Sequence, residues 1–323
     1  MRYGGAVKTE QALQRLSEII RRKHLALSTE QSYCAWLKRY CAYVKTLPAD
    51  LPSEQKLERF LTALAKDDVA ASTQNQAFNA LLFFYQEALG IRLQNVQALR
   101  ARRPSQVRHA PTREETFRLL AAVQAEADFA TALAVRLLYG CGLRVSEPLN
   151  LRIKDVDLAT SQLVIRGAKG GKDRVVALPC SAVEDLRQQI ESARVVWQRD
   201  RLSRVPVGLP QQLAVKYPQA RFDWPWAWVF PASQPCVDPR RGGVVRWRWH
   251  EANLQRAIRK ACGPAGLRIL PHELRHAYAT HCLNRGANPR AIQEVMGHKS
   301  LETTMGYLHA EALAVQSPLD QVG

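Results

Sequence analysis

Apolar residues recur at helical spacing through residues 9–99, and at Arg100-Ala101-Arg102-Arg103-Pro104-Ser105-Gln106 the period stops. A charged, proline-bearing stretch with nothing to bury reads as a linker between two separately packed bodies. The 323 residues are enough for each body to hold its own core. The expected division is a helical domain over 1–100, a linker over 101–110 and a larger domain over 111–323.

In the first body, Leu13, Leu16, Ile19 and Ile20 share one helical face ahead of the basic cluster Arg21-Arg22-Lys23. Ser28-Thr29-Glu30-Gln31 reads as the capped start of a second helix carrying Tyr33, Trp36, Leu37, Tyr40 and Val44, which Pro48 and Pro52 end. Ser53 and Ser72 can cap a third and a fourth helix, the last stopped at Gly90. Four short helices with polar outer faces make a small bundle. In the second body the pattern is helical from Pro111 to Gly140, then two β-branched runs, Gln162–Arg166 and Arg174–Leu178, flank a tip of glycine and lysine. That is a β-hairpin. From His250 to Leu308 the chain reads as helical again, with Asn288-Pro289 opening one helix and Gly297 closing it. The fold class expected is predominantly α with a small β-sheet or hairpin in the larger domain.

Charge gives the first functional clue. Forty-six Lys and Arg against 29 Asp and Glu leave +17, of which +8 falls in residues 1–110 and +9 in the rest. Both bodies are cationic, so a polyanion held between two basic domains is the simplest partner. The seven cysteines (34, 41, 141, 180, 236, 262, 282) form no CxxC pair and no zinc-ligand spacing, and read as reduced thiols in a protein without a metal site. No run approaches a membrane span, and the N-terminus lacks the apolar core of a secretory signal, so a cytoplasmic protein is expected.

Three segments hold residues suited to phosphate chemistry: Gly140-Cys141-Gly142-Leu143-Arg144-Val145-Ser146-Glu147, then Pro271-His272-Glu273-Leu274-Arg275-His276, then Gly297-His298 with Tyr307 nine residues on. His272 and Arg275 lie three apart, off one face of a helix starting near Pro271. Taken singly, Arg144 reads as a solvated arginine, His298 as a cap and Tyr307 as a packing residue. In this order, with lysine on an intervening hairpin, the segments resemble the tyrosine recombinase (phage-integrase-like) family. Its pattern is Arg in G-L-R-x-x-E, a hairpin Lys, H-x-L-R-H, G-H and a late Tyr.

The resemblance covers essentially the whole chain. It implies the DNA breaking–rejoining fold, with an N-terminal SAM-like helical core-binding domain that clasps DNA. It implies Tyr307 as nucleophile, Arg144 and Arg275 on the non-bridging phosphate oxygens, His272 assisting proton transfer and His298 donating to the phosphate. Lys169 matches the family's general acid, with Lys172 and Arg174 as competing cations at the hairpin tip. Glu147 stands either as a group that orients these cations or as an exposed helix carboxylate. A 3′-phosphotyrosyl bond conserves the energy of the broken phosphodiester, so no ATP, metal or other cofactor is implied.

Residues 205–250 hold five of the seven tryptophans (224, 226, 228, 247, 249) among prolines and arginines. Lys216-Tyr217-Pro218, Trp226-Ala227-Trp228-Val229-Phe230-Pro231, Asp238-Pro239-Arg240 and the late Ser317-Pro318-Leu319 resemble the integron integrases, which carry an insertion here (about 200–250). In that group the insertion holds bases protruding from folded single-stranded recombination sites. Where its members commonly show two adjacent histidines, this chain has Arg246-Trp247-Arg248-Trp249. Trp226, Trp247 and Trp249, with Arg246, Arg248, Lys172 and Arg174, are the expected DNA contacts. The plainer expectation for the rings is a tryptophan-cored lobe built on Trp224 and Trp228. The resemblance further implies a homotetramer on double-stranded and folded single-stranded DNA, inserting and excising gene cassettes. Alternatives are a phage or chromosomal recombinase of the general kind, a type IB topoisomerase, and a catalytically silent DNA-binding protein.

Overall fold

The amphipathic stripes between Thr9 and Leu89 fold into helices because each can bury its apolar edge only against the others. A computed structural model of the chain describes residues 9–93, 110–167, 173–297 and Ser300. The chain divides into two units, Met1–Gln106 and Val107–Gly323, a division that falls inside 101–110; the residues around it lie outside those described.

The first unit holds α1 (Thr9–Arg22), α2 (Leu27–Val44), α3 (Ser53–Lys66) and α4 (Ala71–Phe83), the last running on into a π-helical turn, Phe84–Leu89. Leu16, Ile20, Leu37, Leu57, Leu64 and Leu81 are fully buried between them. Two polar pairs are taken inside with partners. The Tyr40 and Tyr85 hydroxyls lie 2.8 Å apart in the core, and burial pushes the Tyr40 phenol far above its ordinary range. Buried Glu30 is held by Arg21 at 2.8 Å. The serine caps expected at 28, 53 and 72 are not the caps observed: the N-cap residues are Ala26, Pro52 and Ala70, without side-chain caps. Packing of the apolar faces sets these starts.

The second unit opens on a capping box, in which Thr112 accepts from the Glu115 backbone and Glu115 from that of Thr112, at the start of α5 (Arg113–Glu126). Asp128 caps α6 (Phe129–Gly140). A three-stranded antiparallel sheet follows: β1 (Val156–Asp157), β2 (Gln162–Ile165) and β3 (Arg174–Ala177), in that order, with Ile165 opposite Arg174. The long helix α7 (Cys180–Leu202) leads to α8 (Gln211–Lys216), two 3-10 turns and a ribbon of β4 (Cys236–Val237) and β5 (Val244–Val245). The last helices among the described residues are α9 (Glu251–Cys262), α10 (Pro271–Leu283) and α11 (Pro289–Met296). One cluster that includes Leu133, Leu138, Leu163, Val176, Leu186, Phe230, Leu254 and Leu274 forms its core. Truncating one such leucine to alanine costs about 2–5 kcal/mol. His281 of α10 bridges two elements, its Nε2 3.1 Å from the Pro111 carbonyl and its Nδ1 3.0 Å from the Tyr139 hydroxyl. With Nε2 donating, Nδ1 accepts from Tyr139. No helix among the described residues is long and apolar enough to cross a membrane.

Candidate active site

Helix α6 ends where its sequence requires. Gly142 takes the left-handed conformation (φ 59°), with Leu143 N–H bonded to the Leu138 carbonyl and Gly142 N–H to that of Tyr139. This is the paired closure that glycine favours after a helix. The turn delivers Arg144 directly after it and packs against α10: a Cβ on Gly142 would lie 2.4 Å from the Tyr278 ring.

Glu147 lies at the centre of the arrangement, 6% exposed. Its carboxylate accepts from the Arg144 backbone N–H and from Arg144 Nη1, both at 2.8 Å. Arg174 forks onto the same group, Nη1 to Oε1 at 2.9 Å and Nη2 to Oε2 at 2.6 Å, and Arg275 Nη1 stands 4.0 Å away. Burial pushes the Glu147 carboxyl upward, but the hydrogen bonds and charges of Arg174 and Arg144 outweigh it and hold the group below the ordinary carboxylate range. Glu147 is thus a buried carboxylate set among three arginines and not an exposed helix carboxylate.

The same three arginines grip the last turn of α11. Arg174 Nε donates to the Val295 carbonyl at 2.5 Å, Arg275 Nη2 to Met296 and Arg144 Nη2 to Gly297 at 3.3 Å. Three consecutive carbonyls, orphaned by the end of the helix, each receive one guanidinium. Arg275, on the fifth residue of α10, also donates to the Gly142 carbonyl at 2.5 Å. His272 is exposed in the first turn of α10, its ring 5.7 Å from that of His276. The pair expected on one open face is therefore divided, with Arg275 turned inward at 7% exposure.

Three guanidinium charges against one carboxylate leave a surplus of two positive charges. That surplus suits a phosphodiester, which carries one negative charge at rest and gains more in the transition state. Arg144 is the most open of the three, with 27% of its side chain exposed against 8% for Arg174 and 9% for Arg275. Lys169, Lys172, His298 and Tyr307 lie outside the described residues, as does the segment holding Ser317-Pro318-Leu319. No group of three or more His, Cys, Asp or Glu suited to a metal occurs among the described residues.

Two sequence expectations are corrected here. Arg174 does not stand open at the hairpin tip: its guanidinium is buried, with its nitrogens bonded to Glu147 and Val295. Arg246 forks onto Asp200, Nε to Oδ2 at 2.7 Å and Nη2 to Oδ1 at 2.6 Å, and Nη1 donates to the Ala232 carbonyl at 2.8 Å, all at about 5% exposure. It anchors the tryptophan lobe and is not open to DNA. Arg248 is half-buried, donating to the Trp249 carbonyl at 2.9 Å, with Glu251 at 3.6 Å.

The rings differ in availability. Trp228 is buried, with the Arg152 guanidinium 3.6 Å above it, and burial lowers Arg152 to about 10. Trp226 packs on Val207, Leu209 and Ala220 and carries the Lys154 ammonium 3.1 Å from its ring centre, so that face is covered. Trp224 meets Trp197 at 5.4 Å. Trp249 is half-buried against Phe230 and walls a cavity of about 300 Å³ together with Asn253, Arg256 and Lys260. Trp247 alone of the five is openly exposed, at 37%. Its ring rests on Gly208, where a Cβ would collide at 1.9 Å.

Residues 111–313 match the phage integrase family, and residues 12–95 its N-terminal SAM-like domain. An integrase/recombinase of Escherichia coli is 39% identical, with 97% of this chain and 94% of that protein covered. The tyrosine recombinase XerA of Thermococcus kodakarensis is 31% identical over 86% of this chain and 83% of its own. Two solved structures share the fold. XerH bound to a palindromic difH substrate has a TM-score of 0.61 at 20% identity, covering 94% of this chain and 82% of its own. A lambda integrase dimer on a COC′ core site has a TM-score of 0.59 at 16% identity, covering 95% and 97%. From the carboxylate-centred arginines to both terminal and catalytic domain matches, the chain belongs to the phage integrase family, the tyrosine recombinases.

Proposed function

We propose that this chain is an integron-type integrase, a DNA recombinase that exchanges gene cassettes at folded single-stranded and double-stranded sites. Site-specific recombination is the activity of the family to which it belongs. The observation that carries the narrower reading is the tryptophan lobe, with Trp247, the exposed ring of its five, set edge-on against Gly208. A ring held at its edge and 37% exposed leaves surface on which a base that has left its stack can lie. Stacking is sequence-tolerant and worth about 1–3 kcal/mol per base.

In the reaction, Arg144 and Arg275 neutralise the phosphate. The Tyr307 oxygen attacks phosphorus as its proton is lost with the help of His272, while His298 donates to a phosphate oxygen. The P–O5′ bond breaks and the leaving oxygen takes a proton from Lys169 or Lys172. The reverse attack by another strand's 5′-hydroxyl reseals DNA without an added energy source. Exchange between two duplexes calls for four copies on the DNA, and the cytoplasm is where such a substrate is met.

Trp247→Ala tests the narrower reading. It should weaken binding to a DNA hairpin with extrahelical bases by about tenfold, as the loss of one stacked base implies. Binding to the same DNA hairpin without those bases should hardly change. Equal losses on both DNAs with a lowered melting temperature would make Trp247 structural and leave a recombinase of the general kind.

A further inference from the structure

Arg174 opens β3, the strand that leaves the Gly- and Lys-rich tip, yet its side chain turns inward with Val176, the next residue on that face. All three of its guanidinium nitrogens have partners, two on Glu147 and one on Val295. Its aliphatic stem also lies against the turn that ends α11, where a Cβ on Gly297 would come 3.4 Å from Arg174 Cδ. The residue therefore joins three segments that the chemistry uses: the hairpin base, the Glu147 loop and the end of α11, beyond which the chain leads to His298 and Tyr307.

We propose that Arg174 is a positioning residue for strand cleavage, holding Glu147 and the end of α11 so that Arg144 is set against the phosphate. Glu147 touches Arg144 twice, on its backbone N–H and at Nη1, so the placement of this carboxylate fixes the direction of the Arg144 fork. The groups facing Glu147 are Arg144 from its own loop, Arg174 from β3 and Arg275 from α10. Arg174 is the one whose guanidinium alone forks onto both carboxylate oxygens, whereas Arg144 reaches one with Nη1 and the other with its backbone N–H. Lysine would keep the charge but not the fork, and could not reach Val295 at the same time.

The proposal rests on the recombinase reading, and the test separates the two. Full-length protein is mixed with a pool of nicked duplexes with randomised cores and of folded DNA hairpins, and covalent adduct is followed in single turnovers at saturating DNA. Arg174→Lys should slow adduct formation by about tenfold, and Arg174→Met by about a hundredfold, with affinity within about twofold of wild type. The pH profile should move too. Glu147 is held low chiefly against burial by Arg174, so without that partner its carboxyl rises and the acid limb of cleavage shifts to higher pH.

Several results would overturn this. An Arg174→Met protein with wild-type cleavage but a salt slope lower by about one charge would make Arg174 a DNA contact. Rescue of Arg174→Met by a 5′-bridging sulfur, whose thiolate leaves without a proton, would make it the general acid. Equal loss of melting temperature and rate in both variants, with an unmoved acid limb, would make it structural only. A wild-type protein that forms no adduct would remove the recombinase reading, and this inference with it.

Discussion

Arg246→Met asks whether the arginines of the tryptophan lobe serve DNA or the fold. Methionine keeps the apolar length of the stem but leaves the Asp200 carboxylate, 6% exposed, without its fork. It also removes the bond to the Ala232 carbonyl. Breaking one side of a buried pair costs about 3–5 kcal/mol, because the surviving charge stays uncompensated. Against a total stability of about 5–15 kcal/mol this is a large fraction. For a unit the size of Val107–Gly323 it lowers Tm by about 6–20 °C. Urea unfolding followed by tryptophan fluorescence reads the loss directly, since Trp228 donates its indole N–H to the Arg246 carbonyl at 3.2 Å. Adding Asp200→Asn should recover part of it, because the pair is then removed as a unit. DNA affinity of the folded fraction should keep its salt slope. Unchanged unfolding together with a slope lower by about one charge would refute the anchoring role.

Gly142→Ala should impair both folding and cleavage. The left-handed backbone and the Tyr278 ring at 2.4 Å together cost about 2–5 kcal/mol, read as a lower urea midpoint. Arg144→Lys and Arg275→Lys should each slow adduct formation by about a hundredfold with little loss of DNA affinity, since lysine cannot fork. Near wild-type rates in single turnovers would show that the arginine concerned does not meet the phosphate. Glu147→Gln removes a carboxylate whose stabilisation is present above its ordinary pKa of about 4.3 and fades as pH falls through its depressed value. Its destabilisation should therefore be full at pH 7 and shrink under stronger acid; a pH-independent loss would contradict the pairing.

The helices and the paired strands of the hairpin were legible in the sequence because each is written in local periodicity and in glycine and proline punctuation. Asn288-Pro289 and Gly297 bound α11 as their types require. What local pattern could not give is which arginine of a cluster is buried. Arg246 finds its carboxylate 46 residues away and Arg174 finds its own 27 residues away, so exposure was decided by tertiary partners. For Arg174 a signal did exist, since alternation along β3 places it on the same face as buried Val176. The serine caps failed for the opposite reason: the N-cap positions of α2, α3 and α4 fall where packing begins, one or two residues before the side chain suited to capping.

In the proposed reaction Tyr307 carries the DNA through a covalent bond. Wild-type protein and Tyr307→Phe, incubated with the nicked DNA pool, would be digested with protease and nuclease and the peptides analysed by mass spectrometry. The expected product is a nucleotide-bearing peptide whose modified residue is Tyr307, formed by wild type and absent from Tyr307→Phe, with DNA binding equal in the two. A modified peptide of equal yield from Tyr307→Phe, or a nucleotide on any other residue, would contradict it.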